Sequence, residues 1–222
     1  MTITPDTSAR FPAVADTTTD VAISTAYAVG ASATLLVAAV NVIGTTTRTG
    51  GSPTYNAIAM TQVATTQVGD EMNVELWYLL NPATGSNLIA VPNDNGRSIA
   101  IYISSYNPTV GNTFNAGNTG TADTSGSNPT VNIISSAGHL VVATVVSGDN
   151  GFNPSAQTGT ELFNDDYGVY GAACQYLVAA GAVASMSWTE ATSDDYAAVA
   201  IEFSEFSGEL PMMMHHARMR RT

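Results

Sequence analysis

The second half of this chain repeats the pattern of its first half. Three apolar segments of the first half return in the same order, each short, rich in β-branched or aromatic residues, and bounded by Gly, Pro, Asn or Asp. That composition is typical of β-strands rather than helices. Two sets of strands in the same order predict an all-β, two-sheet antiparallel sandwich whose halves are related by a pseudo-twofold axis. The paired segments are 35–40 with 140–145, 75–80 with 173–178, and 99–106 with 199–206.

The length of the chain fits one large sandwich, because all-β sandwiches of about 200 residues often form a single domain. We expect the halves at about 21–106 and 131–206. They are joined by 107–130, which is rich in Gly, Asn and Thr and is either an ordered loop or a flexible linker. The predicted organisation is an extended N-terminal arm over 1–20, a single β-sandwich domain over 21–206, and a Met/His/Arg tail over 207–222.

Hydrophobic patterns predict how individual strands are buried. Residues 33–43 are almost continuously apolar, which indicates a strand buried on both faces. Residues 55–63 alternate between apolar and polar side chains, as a half-buried strand does. Residues 87–91 and 99–106 flank Asn95-Gly96, a strong turn signal, and are predicted to form a hairpin.

Three large aromatic residues have two interpretations. Trp77 and Tyr78 are neighbours on a predicted strand, and Trp188 shares a strand face with Ala184 and Met186. Aromatic side chains at strand positions usually belong to the core, although they could also stack on a sugar ring. We expect core packing, with Trp77 and Tyr78 on opposite sides of the sheet.

The charge distribution limits the possible functions. The chain contains no lysine, which excludes Schiff-base chemistry, a P-loop lysine and a Lys–Asn cross-link. Residues 1–210 carry a net charge of −15, whereas the last twelve residues carry +3. Nucleic acid is therefore not an expected partner, because phosphate binding requires a basic surface. Only 11% of the residues are charged, which fits a protein packed against copies of itself or an ordinary extracellular β domain.

The remaining compositional signals concern compartment and redox chemistry. Cys174 is the only cysteine, so the chain has no internal disulfide, and its apolar context predicts a buried thiol. The N-terminal residues do not resemble a secretion signal, and no apolar run is long enough for a membrane span. A virion protein, which leaves its host by lysis, fits this combination.

Residues 75–85, together with 138–142 and 184–188, resemble a family of jelly-roll-like sandwich domains. That family occurs in phage structural proteins and in bacterial surface proteins. Its characteristic element is a Glu-Leu-Trp-Tyr-Leu strand followed by an Asn-Pro and Thr-Gly turn. The resemblance covers roughly residues 33–206 and implies a jelly-roll-like fold. It implies no catalytic residues.

Few residues are arranged for catalysis or metal binding. The adjacent His215 and His216 have no cysteine or carboxylate nearby and make a poor zinc site. The acidic pairs Asp165-Asp166 and Asp194-Asp195 lack the alternating spacing of a glycosidase strand, and Glu202 and Glu205 do not share a strand face. His139 stands alone beside a predicted strand. We therefore expect no enzymatic activity and no cofactor.

Two predicted turns have residues that could bind a calcium ion, as an alternative to a purely structural role. Hard calcium ions prefer Asp and Asn oxygens on tight turns, but such residues are also what tight turns commonly contain. The candidates are Asp94, Asn95, Asp149 and Asn150.

The tail is the clearest candidate for assembly. Methionine fills irregular apolar grooves, and arginine pairs with carboxylates. The assembly residues are Met212, Met213, Met214, His215, His216, Arg218, Arg220 and Arg221.

Together these observations predict a non-enzymatic virion structural protein. The expected form is a capsid decoration or head-associated protein of a tailed bacteriophage. It is a homo-oligomer that contacts copies of itself and other virion proteins through its terminal arms. The alternative is a tail-fibre or cell-surface adhesin module that binds carbohydrate through loops such as 107–130.

Overall fold

A computed structural model of the chain describes residues 3–14, 23–43, 51–68, 72–92, 98–148, 155–156, 158–166, 170–189 and 194–207. All regular structure in these ranges is β-strand, and they contain no helix that could span a membrane. The strands of the first half are β1 (Thr4–Val14), β2 (Ile23–Val29), β3 (Leu35–Ile43), β4 (Thr54–Tyr55), β5 (Ile58–Ala59), β6 (Thr61–Val68), β7 (Met72–Leu80), β8 (Gly85–Val91) and β9 (Ser98–Asn107). Those of the second half are β10 (Asn112–Gly126), β11 (Thr130–Ile134), β12 (Leu140–Ser147), β13 (Ser155–Ala156), β14 (Thr160–Asp166), β15 (Gly171–Val178), β16 (Val183–Thr189) and β17 (Asp194–Ser207).

Each half contains one large and one small sheet, and corresponding strands follow the same order in both halves, although β5 has no counterpart among the described strands of the second half. The large sheets have the orders β1-β9-β3-β7-β6 and β10-β17-β12-β15-β14. The small sheets have the orders β2-β8-β4-β5 and β11-β16-β13. Most consecutive strands alternate between the two sheets of their half, as in a jelly roll. The predicted all-β antiparallel sandwich is confirmed, but the described strands form four sheets rather than two, because each half has both of its own layers.

The two large sheets pack against each other, so three apolar layers run through the molecule. One core lies between the sheets of the first half and another between those of the second. The third joins the halves and contains side chains of both large sheets. In β3, Leu36 and Ala38 face the first-half core, whereas Leu35 and Val37 face the other half. This confirms the prediction that residues 33–43 include a strand buried on both faces.

Strand register corrects one of the three sequence repeats. Leu35 pairs with Tyr106, and Leu140, its counterpart, pairs with Phe203. Residues 99–106 therefore match residues 97 positions later, not the 100 positions that the sequence predicted. The difference of three is odd, and an odd shift would place every side chain on the wrong face of the strand. Tyr106 and Phe203 indeed lie in the same core, between the halves.

Two segments predicted to lie outside the sheets are edge strands instead. Residues 4–14 of the predicted N-terminal arm form β1, which pairs with β9. Most of the predicted linker 107–130 forms β10, which pairs with 13 of the 14 residues of β17. Both strands are rich in residues of low β propensity, and β10 is exposed along most of its length. Their backbone hydrogen bonds to a neighbouring strand, rather than their side chains, place them in the sheet.

Two local predictions in the first half were wrong. Residues 55–63 are not one strand, because Asn56 and Ala57 adopt positive φ angles of 50° and 62° and turn the chain between β4 and β5. Strands β8 and β9 do not form a hairpin with each other. β8 pairs with β2 and β4 in the small sheet, whereas β9 pairs with β1 and β3 in the large sheet. Residues 93–97 between them lie outside the described part of the chain.

Candidate functional site

A polar cleft opens where the edge of the first half meets the second half. It has a volume of about 290 Å³. The end of β6 forms one wall, and the strands β10 and β17 form the other. The lining residues are Gln67, Val68, Asp123, Thr124, Ser125 and Asp195.

The two carboxylates of the cleft stand on the same face of the large sheet. Asp123 pairs with Ala197, and Ser125 pairs with Asp195, so Asp123 and Asp195 are diagonal neighbours on adjacent strands. Diagonal neighbours in an antiparallel sheet are about 7–8 Å apart. This spacing allows one cationic or polyhydroxylated group to contact both carboxylates.

Hydrogen bonds fix both walls of the cleft. Thr66 Oγ1 of β6 donates to Asp123 Oδ2 at 3.3 Å, which links the two halves across the cleft. The backbone of Asp195 is held by Ser147 Oγ, which donates to the Asp195 carbonyl at 3.1 Å. Both aspartates remain exposed to solvent, and none of the six lining residues is basic. The cleft therefore carries negative charge that its own lining does not neutralise.

A second polar group surrounds Glu202, whose carboxylate is buried at the end of the second half. Ser135 Oγ donates to Glu202 Oε1 at 3.1 Å, Asn118 Nδ2 donates to Oε2 at 2.9 Å, and His139 Nδ1 contacts Oε1. Burial by itself raises the pKa of Glu202, but the hydrogen bonds from His139, Asn118 and Ser135 together lower it below its ordinary value. The Glu202 carboxylate lies between the Ser135 hydroxyl and the His139 imidazole. In a catalytic triad the imidazole occupies the middle position, so the order of these three groups differs from that of a triad.

The first half has a counterpart to this group, built from different strands. Asp6, at a bulge in β1, accepts a hydrogen bond from the Gly30 amide at 2.7 Å. Gly30 directly follows β2, and Ser135 directly follows β11, which is the corresponding strand of the second half. The acid comes from the edge strand in the first half and from β17 in the second. Each carboxylate holds the turn that leads into the central strand of the large sheet in its own half, β3 or β12. Their role is therefore structural.

The sequence-predicted site residues have different outcomes. His139 contacts Glu202. Asp165 and Asp166 lie on β14, paired with Ala172 and Gly171, away from the cleft lining. The calcium candidates Asp94, Asn95, Asp149 and Asn150 lie outside the described residues, as does the whole assembly tail from Met212 to Arg221. In the part of the chain that the structure describes, no group of three or more His, Cys, Asp or Glu residues could hold a metal ion.

The large aromatic residues and the cysteine belong to the core, as the sequence predicted. Trp188 is completely buried, and Trp77 is 6% exposed and donates from Nε1 to Glu75 Oε2 at 2.7 Å. Tyr78 is half-buried and packs edge-on against Phe203 of the other half. Cys174 is buried, which raises the pKa of its thiol to about 12 and keeps it protonated at neutral pH.

Sequence reasoning did not find the cleft itself. The sequence contains one indication of the cleft: Asp123 is the only acidic residue in the otherwise neutral segment 107–130. In the sequence, its partner Asp195 stands out only as a member of the adjacent acidic pair Asp194-Asp195. The contribution of Gln67 and Val68 follows from the packing of one half on the other, which no local pattern encodes.

Comparisons with known proteins give no relative. No protein-family model matched the chain, and neither a curated protein nor a solved structure matched it significantly.

Proposed function

We propose that the protein is a non-enzymatic structural component of a virion that assembles with copies of itself. The specific form we favour is a capsid decoration or head-associated protein of a tailed bacteriophage. The resemblance of residues 75–85 to domains of phage structural proteins is consistent with this proposal. The alternative is a carbohydrate-binding adhesin module.

The observation that carries the proposal is the duplication of one jelly-roll-like half. Jelly rolls recur in viral capsid proteins and in lectins, which is a likeness of fold and not of site. Here the two halves share one continuous core. A duplicated body with a shared core suits a component that contacts neighbouring copies through defined surfaces.

The charge distribution supports assembly through the tail. The body carries −15 and the last twelve residues carry +3, so the tail of one copy is attracted to the body of another. Salt screens such attraction between exposed charges, with a Debye length of about 8 Å at physiological ionic strength. Assembly of this kind should therefore weaken as salt is added.

The proposal is tested by sedimentation velocity and negative-stain electron microscopy of the full chain and of a variant lacking residues 209–222. The full chain is expected to form ordered oligomers at low salt. The truncated protein should remain monomeric with an almost unchanged thermal transition, because all of the described strands end at or before Ser207 and are retained. A full chain that stays monomeric at all salt and protein concentrations would contradict self-assembly.

One observation favours the alternative, carbohydrate binding. The cleft residues Asp123, Thr124 and Ser125 belong to the segment 107–130, whose composition predicts a binding loop in an adhesin module. Carboxylate, amide and hydroxyl groups can hydrogen-bond the hydroxyls of a sugar. A glycan array probed with the full chain and with Ser125→Ala, whose side chain lies on the same sheet face as Asp123 and Asp195, tests this alternative. Selective binding that the substitution weakens at least tenfold would favour the adhesin function.

A further inference from the structure

We propose that the cleft formed by Gln67, Asp123, Ser125 and Asp195 is the docking site for the arginine tail of a neighbouring copy of this chain. The inference rests on the proposed self-assembly and assigns it a receptor surface. The tail residues concerned are Arg218, Arg220 and Arg221.

The chemistry of the cleft suits a guanidinium group. Arginine presents several N–H donors in a fixed plane and pairs with carboxylates through two parallel hydrogen bonds. Asp123 and Asp195 provide two carboxylates on one sheet face, and Gln67 and Ser125 provide further oxygen acceptors. Asp123 Oδ2 already accepts from Thr66, which holds that carboxylate in place for a partner.

The tail is chemically matched to this surface. It contains three arginines and no acidic residue after Glu209. The structure describes no arginine side chain, and none of the cleft lining residues is basic, so the lining offers the carboxylates no cationic partner of their own.

Distance along the chain favours a neighbouring copy over the same molecule. The strand β17 runs from Asp194 to Ser207, so Asp195 and Ser207 are about 40 Å apart at about 3.3 Å per residue. Arg218 follows Ser207 by eleven residues and Arg221 by fourteen, which span at most about 40 Å and about 50 Å when fully extended. The tail of the same chain would have to run largely extended along the whole body to reach the cleft. A second copy placed end to end has no such constraint.

The tail leaves one end of β17, and the cleft lies at the other end of the same strand. Two copies that lie antiparallel can therefore exchange tails reciprocally in a closed pair, whereas copies placed end to end form rings or open stacks.

Charge-neutralising variants of the full chain test the docking site. Asp123→Asn combined with Asp195→Asn removes the two cleft charges, and Arg218→Gln, Arg220→Gln and Arg221→Gln together remove the tail charges. Each set should raise the self-association Kd at low salt at least tenfold, and combining both sets should raise it little further. The matched control is Asp165→Asn with Asp166→Asn on β14, which changes the net charge equally and should leave Kd within about twofold.

Cross-linking tests the direct contact. Cys174 is buried, so it should not compete with introduced cysteines. Ser125→Cys in one copy and Arg220→Cys in a second, size-tagged copy should give a mixed disulfide dimer under mild oxidation. Thr61→Cys, an exposed position near the opposite end of β6, replaces Ser125→Cys as the control and should give at least tenfold less of that product.

The outcomes separate this inference from the proposed function. If the full chain assembles and the tail variant does not, but the cleft variant assembles normally, the docking site is wrong and tail-driven assembly stands. If the β14 control weakens association as much as the cleft variant, general charge attraction replaces a defined site. A cleft variant that loses glycan binding but not self-association would assign the cleft to carbohydrate instead.

Discussion

Asn41 and Thr144 are hydrogen bonded to each other across the interface between the two halves, with Asn41 Nδ2 donating to Thr144 Oγ1 at 3.1 Å. Both side chains are completely buried and stand on the central strands of the two large sheets. Thr144 Oγ1 also lies 3.0 Å from the carbonyl oxygen of Ala173 and can donate to it. Because an unpaired amide in an apolar core is costly, this pair fixes how the sheets are aligned.

A double-mutant cycle measures the contribution of this pair. Asn41→Ala and Thr144→Val should each lower the free energy of unfolding, by about 1–3 kcal/mol for a lost buried hydrogen bond. The double variant should lose less than the sum, with a coupling energy of about 0.5–3 kcal/mol. Urea denaturation provides the values. Strict additivity would mean that the two side chains do not interact in solution.

The shared core predicts that the second half does not fold by itself. A fragment of residues 108–207 contains β10 to β17 but exposes the face of its large sheet that normally covers the first half. That face includes Leu140, Val142, Ile201 and Phe203, all buried in the intact protein. We expect the fragment to aggregate or to lack a cooperative transition in urea. A monomeric fragment that unfolds cooperatively would instead identify two independent domains.

The two tryptophans should respond differently to the same substitution. Trp77 Nε1 donates to the buried Glu75, whereas Trp188 Nε1 has no hydrogen-bond partner among the described residues. Trp77→Phe should therefore destabilise the protein by about 1–2 kcal/mol more than Trp188→Phe, because it also removes a hydrogen bond to a carboxylate. Truncation of Trp188 to alanine should cost about 3–5 kcal/mol. Equal losses for the two phenylalanine variants would argue against the Trp77–Glu75 hydrogen bond.

A pair of glycines on β10 offers a matched test of packing against β11. A Cβ added at Gly120 would lie 2.5 Å from the backbone oxygen of Asn132, whereas one added at Gly126 meets no atom within 4 Å. Gly120→Ala should lower the thermal midpoint by several degrees, because the backbone of β11 must move. Gly126→Ala should change it little. If both variants are equally stable, the close approach of these strands does not persist in solution.

The sequence predicted the central strands well and the edge strands poorly, for a physical reason. Apolar runs such as 33–43 are buried on both faces, so composition alone identifies them. The strand β10 is held mainly by its backbone pairing with β17, and its Gly, Asn and Thr side chains resemble a loop. The false hairpin at 87–106 arose because a turn signal indicates a reversal of the chain but does not specify which sheet the next strand joins.

The candidate site was less predictable than the fold. Asp123 and Asp195 are 72 residues apart in the chain and meet only through the register of β10 with β17. The contribution of Gln67 depends on the packing of the two halves. The carboxylates of Asp6 and Glu202 show the same limit, because they bind corresponding turns but come from strands that do not correspond. A comparison of the two halves of the sequence finds corresponding strands. It does not find a structural role that a different strand fills in each half.

The acid stability of the protein should depend on Glu202. Hydrogen bonds hold the pKa of its carboxyl below the ordinary value in the folded state, against the opposing effect of burial. A carboxyl with a depressed folded pKa stabilises the protein fully above its unfolded pKa of about 4.3, and this contribution disappears as the pH falls through the folded pKa. Glu202→Gln should therefore be less stable than the wild type at pH 6, by about 1.5–3 kcal/mol for lost hydrogen bonds to a charged group.

The difference between the wild type and Glu202→Gln should shrink progressively when urea denaturation is repeated from pH 5 down to pH 2. Ser135→Ala removes one of the donors to Glu202 and should show an intermediate dependence on pH, because the folded pKa then lies closer to the unfolded one. A constant difference between the wild type and Glu202→Gln over this range would mean that the carboxylate is not stabilised by its neighbours. In that case the turn between β11 and β12 is held by its backbone hydrogen bonds alone.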